Sequence, residues 1–104
     1  MIKVAVDTKD YALDDDLRSR AADRIGGLDE FMDTLDEGRV TFSWDDGANE
    51  QTTVFAEVRG GGERFEASDT DWKAEKAIDQ TRRKLESQIR RRHSQQRGSH
   101  DPHR

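Results

Sequence analysis

The chain has no cysteine among its 104 residues, which removes disulfides, thiolate chemistry and cysteine-based zinc sites from consideration. Apolar residues make up only 31% of it, so the core must be thin, one sheet covered by helices rather than a three-layer stack. No apolar run approaches the roughly 18 residues that a membrane span needs. Met1 leads straight into the strand-like I-K-V-A-V, which is too short for a signal peptide and lacks its cationic start. A cytoplasmic location is expected. The three histidines, His93, His100 and His103, all lie at or beyond the end of the last helical pattern. No serine or threonine of the folded part therefore has a histidine to activate it, which excludes a catalytic triad. There are no internal repeats. Neither catalysis, nor a cofactor, nor a metal, nor a small-molecule substrate is expected.

What the chain does have is charge, unevenly placed. Its formal net charge is −5, but residues 1–72 carry a balance of −11 and residues 73–104 a balance of +6. An acidic body repels phosphates and argues against indiscriminate nucleic-acid binding. A basic end on an acidic body suits a shaped polyanionic site approached in one orientation.

That basic end begins with the segment from Ala74 to His93. Ala74, Ala77, Ile78, Thr81, Leu85 and Ile89 recur at intervals of three and four, the spacing of one buried helix face. At about 100° per residue, Lys73, Lys76, Arg83, Lys84 and Arg91 fall on one flank of that face, with Gln80 and Ser87 among them. Glu75, Asp79 and Glu86 fall on the other. A helix that needs charge only for solubility mixes its signs at i, i+4; this one sorts them. The macrodipole alone accounts for Arg90, Arg91 and Arg92 at a helix C-terminus. It does not account for Lys73, Lys76 and Lys84.

The remaining elements follow from periodicity. Ile2, Val4 and Val6 alternate with polar or small residues as a half-buried strand does, and Asp7 to Leu13 reads as a loop. Asp14, Asp15 and Asp16 supply an N-cap and first-turn acids for a helix bearing Leu17, Ala21, Ile25, Leu28 and Met32 on one face, with Phe31 at its edge. Gly26-Gly27 inside that helix predicts a bend or the close approach of a neighbour. Strands are expected at 39–45, with Val40, Phe42 and Trp44 in the core, at 52–59, with Phe55 on the outer face, and at 63–68. Asp45 to Glu50 forms a hairpin loop between the first two of these, and Gly60-Gly61-Gly62 turns the chain between the last two. Ser68-Asp69-Thr70-Asp71 fits a capping box opening the second helix. Trp72 falls off that helix's apolar stripe. The expected fold is α+β, order β-α-β-β-β-α: a four-stranded mixed sheet with two helices packed on one face. Residues 1–93 form the domain, and 94–104, with no apolar content, form a disordered polar tail.

Two motifs carry a family resemblance. A-A-D-R-I-G-G-L-D-E-F at 21–31 resembles the A-D-R-L-x-K-L helix motif of the ribosome hibernation-promoting factor and ribosome-associated inhibitor family, also called the sigma-54 modulation protein family. A-I-D-Q-T-R-R-K-L-E-S-Q-I-R-R at 77–91 is similar to that family's A-I-D-x-x-x-x-K-L-x-R-Q-L-x-K helix. The resemblance covers about residues 1–93, in the family's short form. It implies a protein that binds the small ribosomal subunit where mRNA and tRNA meet, contacts ribosomal RNA through its two helices, and blocks initiation in stress or stationary phase. Carried over by position, the family's basic contacts fall on Arg18 and Arg24 of the first helix and Lys84 and Arg91 of the second. With Arg20, and with Lys73, Lys76 and Arg83 of the basic flank, these make up the expected RNA-binding set. The family pattern is departed from at Gly27, Glu30, Ser87 and Lys73-Ala74-Glu75.

The paired acids at Asp14-Asp15-Asp16 and Asp45-Asp46 are explained by capping and turn chemistry rather than acid–base catalysis. Arg59-Gly60-Gly61-Gly62 is a turn and not a phosphate loop, since no helix follows it. The expected function is therefore a monomeric, ribosome-binding translation inhibitor acting by steric occupancy. The rival is a protein–protein adaptor of the same fold that holds a basic partner on its acidic surface.

Overall fold

The computed structural model describes residues 1–9, 13–45 and 51–98. The elements are β1 (Lys3–Lys9), α1 (Asp15–Gly26), a 3-10 turn (Gly27–Glu30), β2 (Glu37–Asp45), β3 (Gln51–Gly60), β4 (Glu63–Asp71) and α2 (Ala74–Gly98). The strands form one sheet in the order β1-β2-β3-β4. β1 and β2 are parallel, joined by the α1 crossover, and β2-β3 and β3-β4 are antiparallel. Both helices cover one face, α1 over β1 and β2, α2 over β3 and β4. The expected class and element order hold.

The core is the inward row of the sheet meeting the apolar stripes of both helices. Val40, Phe42, Val54, Ala56 and Val58 are wholly buried against Ala21, Ile25 and Leu28 of α1 and against Ala77, Ile78, Leu85 and Ile89 of α2. Thr81 is also buried. Its hydroxyl donates to the Ala77 carbonyl at 2.7 Å and lies 3.3 Å from the Val54 carbonyl, so a polar atom sits in the core without loss of its hydrogen bond. No helix among the described residues is long and apolar enough to cross a membrane.

Asp14 caps α1 as expected, its Oδ1 accepting from the Leu17 N–H at 2.7 Å, with Asp15 and Asp16 in the first turn. At the glycine pair the expected close approach is seen, while in place of a bend the helix stops. The α-helix ends at Gly26 and tightens into the 3-10 turn. A Cβ on Gly26 would lie 3.2 Å from the Met1 side chain and 3.4 Å from the Ile2 carbonyl, so the N-terminal segment uses the missing side chain. Met32 reaches the core from the turn beyond rather than from the helix. At the glycine hairpin, Gly61 and Gly62 have φ of +60° and +82°, and a Cβ on Gly60 would meet the Thr34 carbonyl at 2.2 Å.

Three boundaries and one burial differ from expectation. Asp7-Thr8-Lys9 is strand, not loop: the parallel ladder continues through Lys9↔Ser43. Ser68 to Asp71 is strand, not a capping box, since β3 pairs it through Thr52↔Asp71. The cap is displaced: Asp71 Oδ1 accepts from the Lys73 N–H at 2.9 Å, and the Ala77 N–H bonds the Lys73 carbonyl at 3.1 Å. α2 continues past His93 to Gly98, where a polar tail was expected. Trp44 is 37% exposed rather than core, since it is the last inward position of β2 and lies at the rim. Most of the Asp45–Glu50 loop, His100 and His103 lie outside the described residues.

Candidate functional site

Arg24 of α1 lies 3.5 Å from Asp79 of α2, and a cleft at one end joins Asp14 and Arg20 to Trp72 and Glu75. The helices therefore run side by side in the same direction. This explains half of the charge sorting on α2. Its acidic flank faces α1, where Arg24 meets Asp79, and Arg82 meets Glu86 at 3.1 Å and Glu30 at 4.0 Å. The Arg82 Nε also donates to the Arg24 carbonyl at 3.0 Å. Arg82 and Arg90 stand over the Phe31 ring, at 5.9 and 5.3 Å from its centroid, and Arg90 pairs with Glu86. The seam between the helices is thus neutralised from within.

The opposite flank is not. Lys73, Lys76, Arg83 and Arg91 are exposed and form no ion pair among the described residues. They follow one another along the outer side of α2, from the residue just before its first turn to beyond Ile89. Such a row suits the phosphates of a folded polyanion rather than the edges of its bases.

The expected RNA-binding set divides on this structure. Lys73, Lys76, Arg83 and Arg91 share the open flank. Lys84 lies beside them but is engaged: its Nζ donates to the Ser68 carbonyl at 2.9 Å and lies 3.3 Å from Asp69 Oδ2. Gln88, one turn on, donates to the Glu66 carbonyl at 2.9 Å. β4 is a sheet edge, so these side chains cover carbonyls that have no strand partner, which blunts edge-to-edge pairing. Arg18 does the same at the other edge, donating from Nη1 to the Val6 carbonyl of β1 at 2.9 Å. Arg24 faces Asp79 in an ion pair at 3.5 Å without a hydrogen bond to its Oδ1. Arg20, also without an ion pair among the described residues, sits apart at the cleft with Trp72. The charges of Arg18, Arg24 and Lys84 are plain in the sequence, but their partners are distant in sequence and were not. The signal that was available is the i, i+4 spacing of Arg82, Glu86 and Arg90.

The outer face of the sheet carries no comparable row. Four of its acids meet an arginine: Asp7 with Arg39, Glu37 with Arg59, and Glu57 and Glu66 with Arg64. The Glu57 hydrogen bond, with the charges of Glu57 and Glu66, raises the Arg64 pKa above the ordinary arginine value. Phe55 stands on this face, 37% exposed. Among the described residues no group of three or more His, Asp or Glu is placed to hold a metal ion.

Comparison with known proteins agrees with this architecture. The fold is shared with the N-terminal domain of Protein Y from Thermus thermophilus at 20% identity and a TM-score of 0.73, covering 86% of this chain and 96% of that one. It is shared also with a ribosomal subunit interface protein from Coxiella burnetii at 16% identity and a TM-score of 0.77, covering 88% and 97%. No curated protein matches the chain significantly. The sequence profile of the Sigma 54 modulation protein / S30EA ribosomal protein family matches residues 4–97. Families of this kind modulate the ribosome rather than catalyse reactions, which implies a cytoplasmic location. With nearly its whole length matched, the chain belongs to the Sigma 54 modulation protein / S30EA ribosomal protein family of ribosome-associated proteins.

Proposed function

We propose that this protein is a hibernation-type translation inhibitor that binds the small ribosomal subunit as a monomer. It lies in the mRNA/tRNA channel, held by ribosomal RNA phosphates, and blocks initiation by occupying that space. The observation that carries this reading is the unpaired row Lys73, Lys76, Arg83 and Arg91 on a chain of net charge −5. An acidic protein that keeps four cations in line and unpaired has a surface suited to an ordered polyanion. The adaptor reading has less support on the outer sheet face, where Asp7, Glu37, Glu57 and Glu66 are already matched by arginines of that face. The exposed Asp15, Asp16, Asp23, Asp33 and Asp36 lie elsewhere and have no ion pair among the described residues.

The test is co-sedimentation with purified small subunits across a salt series. Neutralising about four phosphates gives a slope of log affinity against log salt of about −3 to −4. A binding constant that does not change with salt would contradict an RNA interface and favour a protein partner.

A further inference from the structure

Trp72 is 71% exposed, nearly twice the exposure of Trp44 or Phe55. It is not on a loose loop. The connector between β4 and α2 is pinned by the Asp71 carboxylate on the Lys73 N–H and by the bond from the Ala77 N–H to the Lys73 carbonyl. An indole held in water by a fixed backbone buries almost nothing for the fold, so core packing does not explain it. It forms one wall of a cleft of about 630 Å³ between the starts of α1 and α2.

The other walls are chemically mixed. Leu17 adds an apolar surface, Arg20 and Lys73 add cations without ion-pair partners among the described residues, and Asp16 and Glu75 add carboxylates beside Asp14, whose Oδ1 is taken by the Leu17 N–H. Lys73 also begins the unpaired row on α2, so the cleft opens onto the proposed phosphate track. A site for phosphate alone would not include carboxylates, and a site for a basic peptide would not include Arg20 and Lys73. An unpaired nucleotide calls for all three kinds of group: an aromatic face for its base, cations for its phosphate, and acceptors for the N–H groups of its base edge.

We propose that Trp72 is a stacking platform for one unpaired base of the bound RNA, with Arg20 and Lys73 on its phosphate and Asp16 or Glu75 accepting from its edge. Guanine fits best, because its adjacent N1–H and N2–H groups match the two oxygens of a carboxylate. This rests on the RNA-binding reading above and adds to it a base contact that the phosphate row lacks.

The test follows indole fluorescence while a single-stranded RNA hexamer, one guanine among uridines, is titrated into the protein. Saturable quenching is expected in the wild type and in Trp44→Phe, and its loss in Trp72→Phe, which keeps Trp44. Trp72→Ala should bind the hexamer about tenfold more weakly, Trp72→Phe should recover part of that loss, and the salt slope of both should match the wild type. The platform is overturned if Trp72→Ala binds as tightly as the wild type, or if an arginine-rich peptide quenches Trp72 and the RNA does not. Sedimentation separates the two claims. Small subunits that bind wild type and Trp72→Ala equally overturn the platform alone, whereas failure of the wild type to sediment overturns the ribosomal reading. If the wild type does not sediment, the hexamer titration alone decides the platform.

Discussion

The two flanks of α2 differ in whether their charges are answered. On the flank facing α1, Glu86 is answered by Arg82 and Arg90 of its own helix and Asp79 by Arg24 of α1, so that the charge there is balanced within the protein. On the outer flank Lys73, Lys76, Arg83 and Arg91 have no ion-pair partner among the described residues. Similar numbers of charged groups therefore have different consequences. On the function proposed above, those in the seam serve stability and those outside serve binding. Lys84 marks the boundary, since it lies next to the open row but is held at the sheet edge.

The largest effect belongs to neither flank but to the stripe between them. Leu85 is wholly buried, and Leu85→Ala should cost about 2–5 kcal/mol of stability through lost contacts and a residual cavity. Thermal or denaturant unfolding measures it. A loss below about 1 kcal/mol would mean that α2 is not seated on the sheet as described.

A smaller effect tests the seam. Arg82 is 24% exposed, as is its partner Glu86, and it also bonds a backbone carbonyl and covers Phe31. Arg82→Ala should cost about 1–2 kcal/mol while leaving ribosome affinity nearly unchanged. If it weakened ribosome binding as much as loss of an outer-flank cation, the division between the flanks would fail.

Much of this molecule is legible in its sequence, and the failures have a common cause. All six residues of the α2 stripe are buried at their expected positions, because helical periodicity is a local property. The parallel β1-β2 crossover follows from a helix between two strands. The signals that misled were local ones overruled by distant partners. Ser68 to Asp71 has the composition of a helix cap, yet β3 offers it a ladder. Asp7 to Lys9 is polar, yet β2 pairs it. Trp44 has the right alternation but stands where the core ends. The same holds at the candidate site. Sequence shows that Arg18, Arg24 and Lys84 are cationic; only the fold shows that Val6, Asp79 and Ser68 face them.

The most direct measurement compares two double variants with the same change in net charge. Lys76→Ala with Arg83→Ala removes two cations from the open flank of α2. Arg59→Ala with Arg64→Ala removes two from the outer sheet face, where each already has a carboxylate partner. All four side chains are exposed, so both proteins should fold. Binding to small subunits across a salt series should show the helix variant weakened, with its slope flattened by about two units, and the sheet variant close to wild type. Equal binding by the two variants would contradict the claim that the unpaired flank of α2, rather than total charge, carries the function.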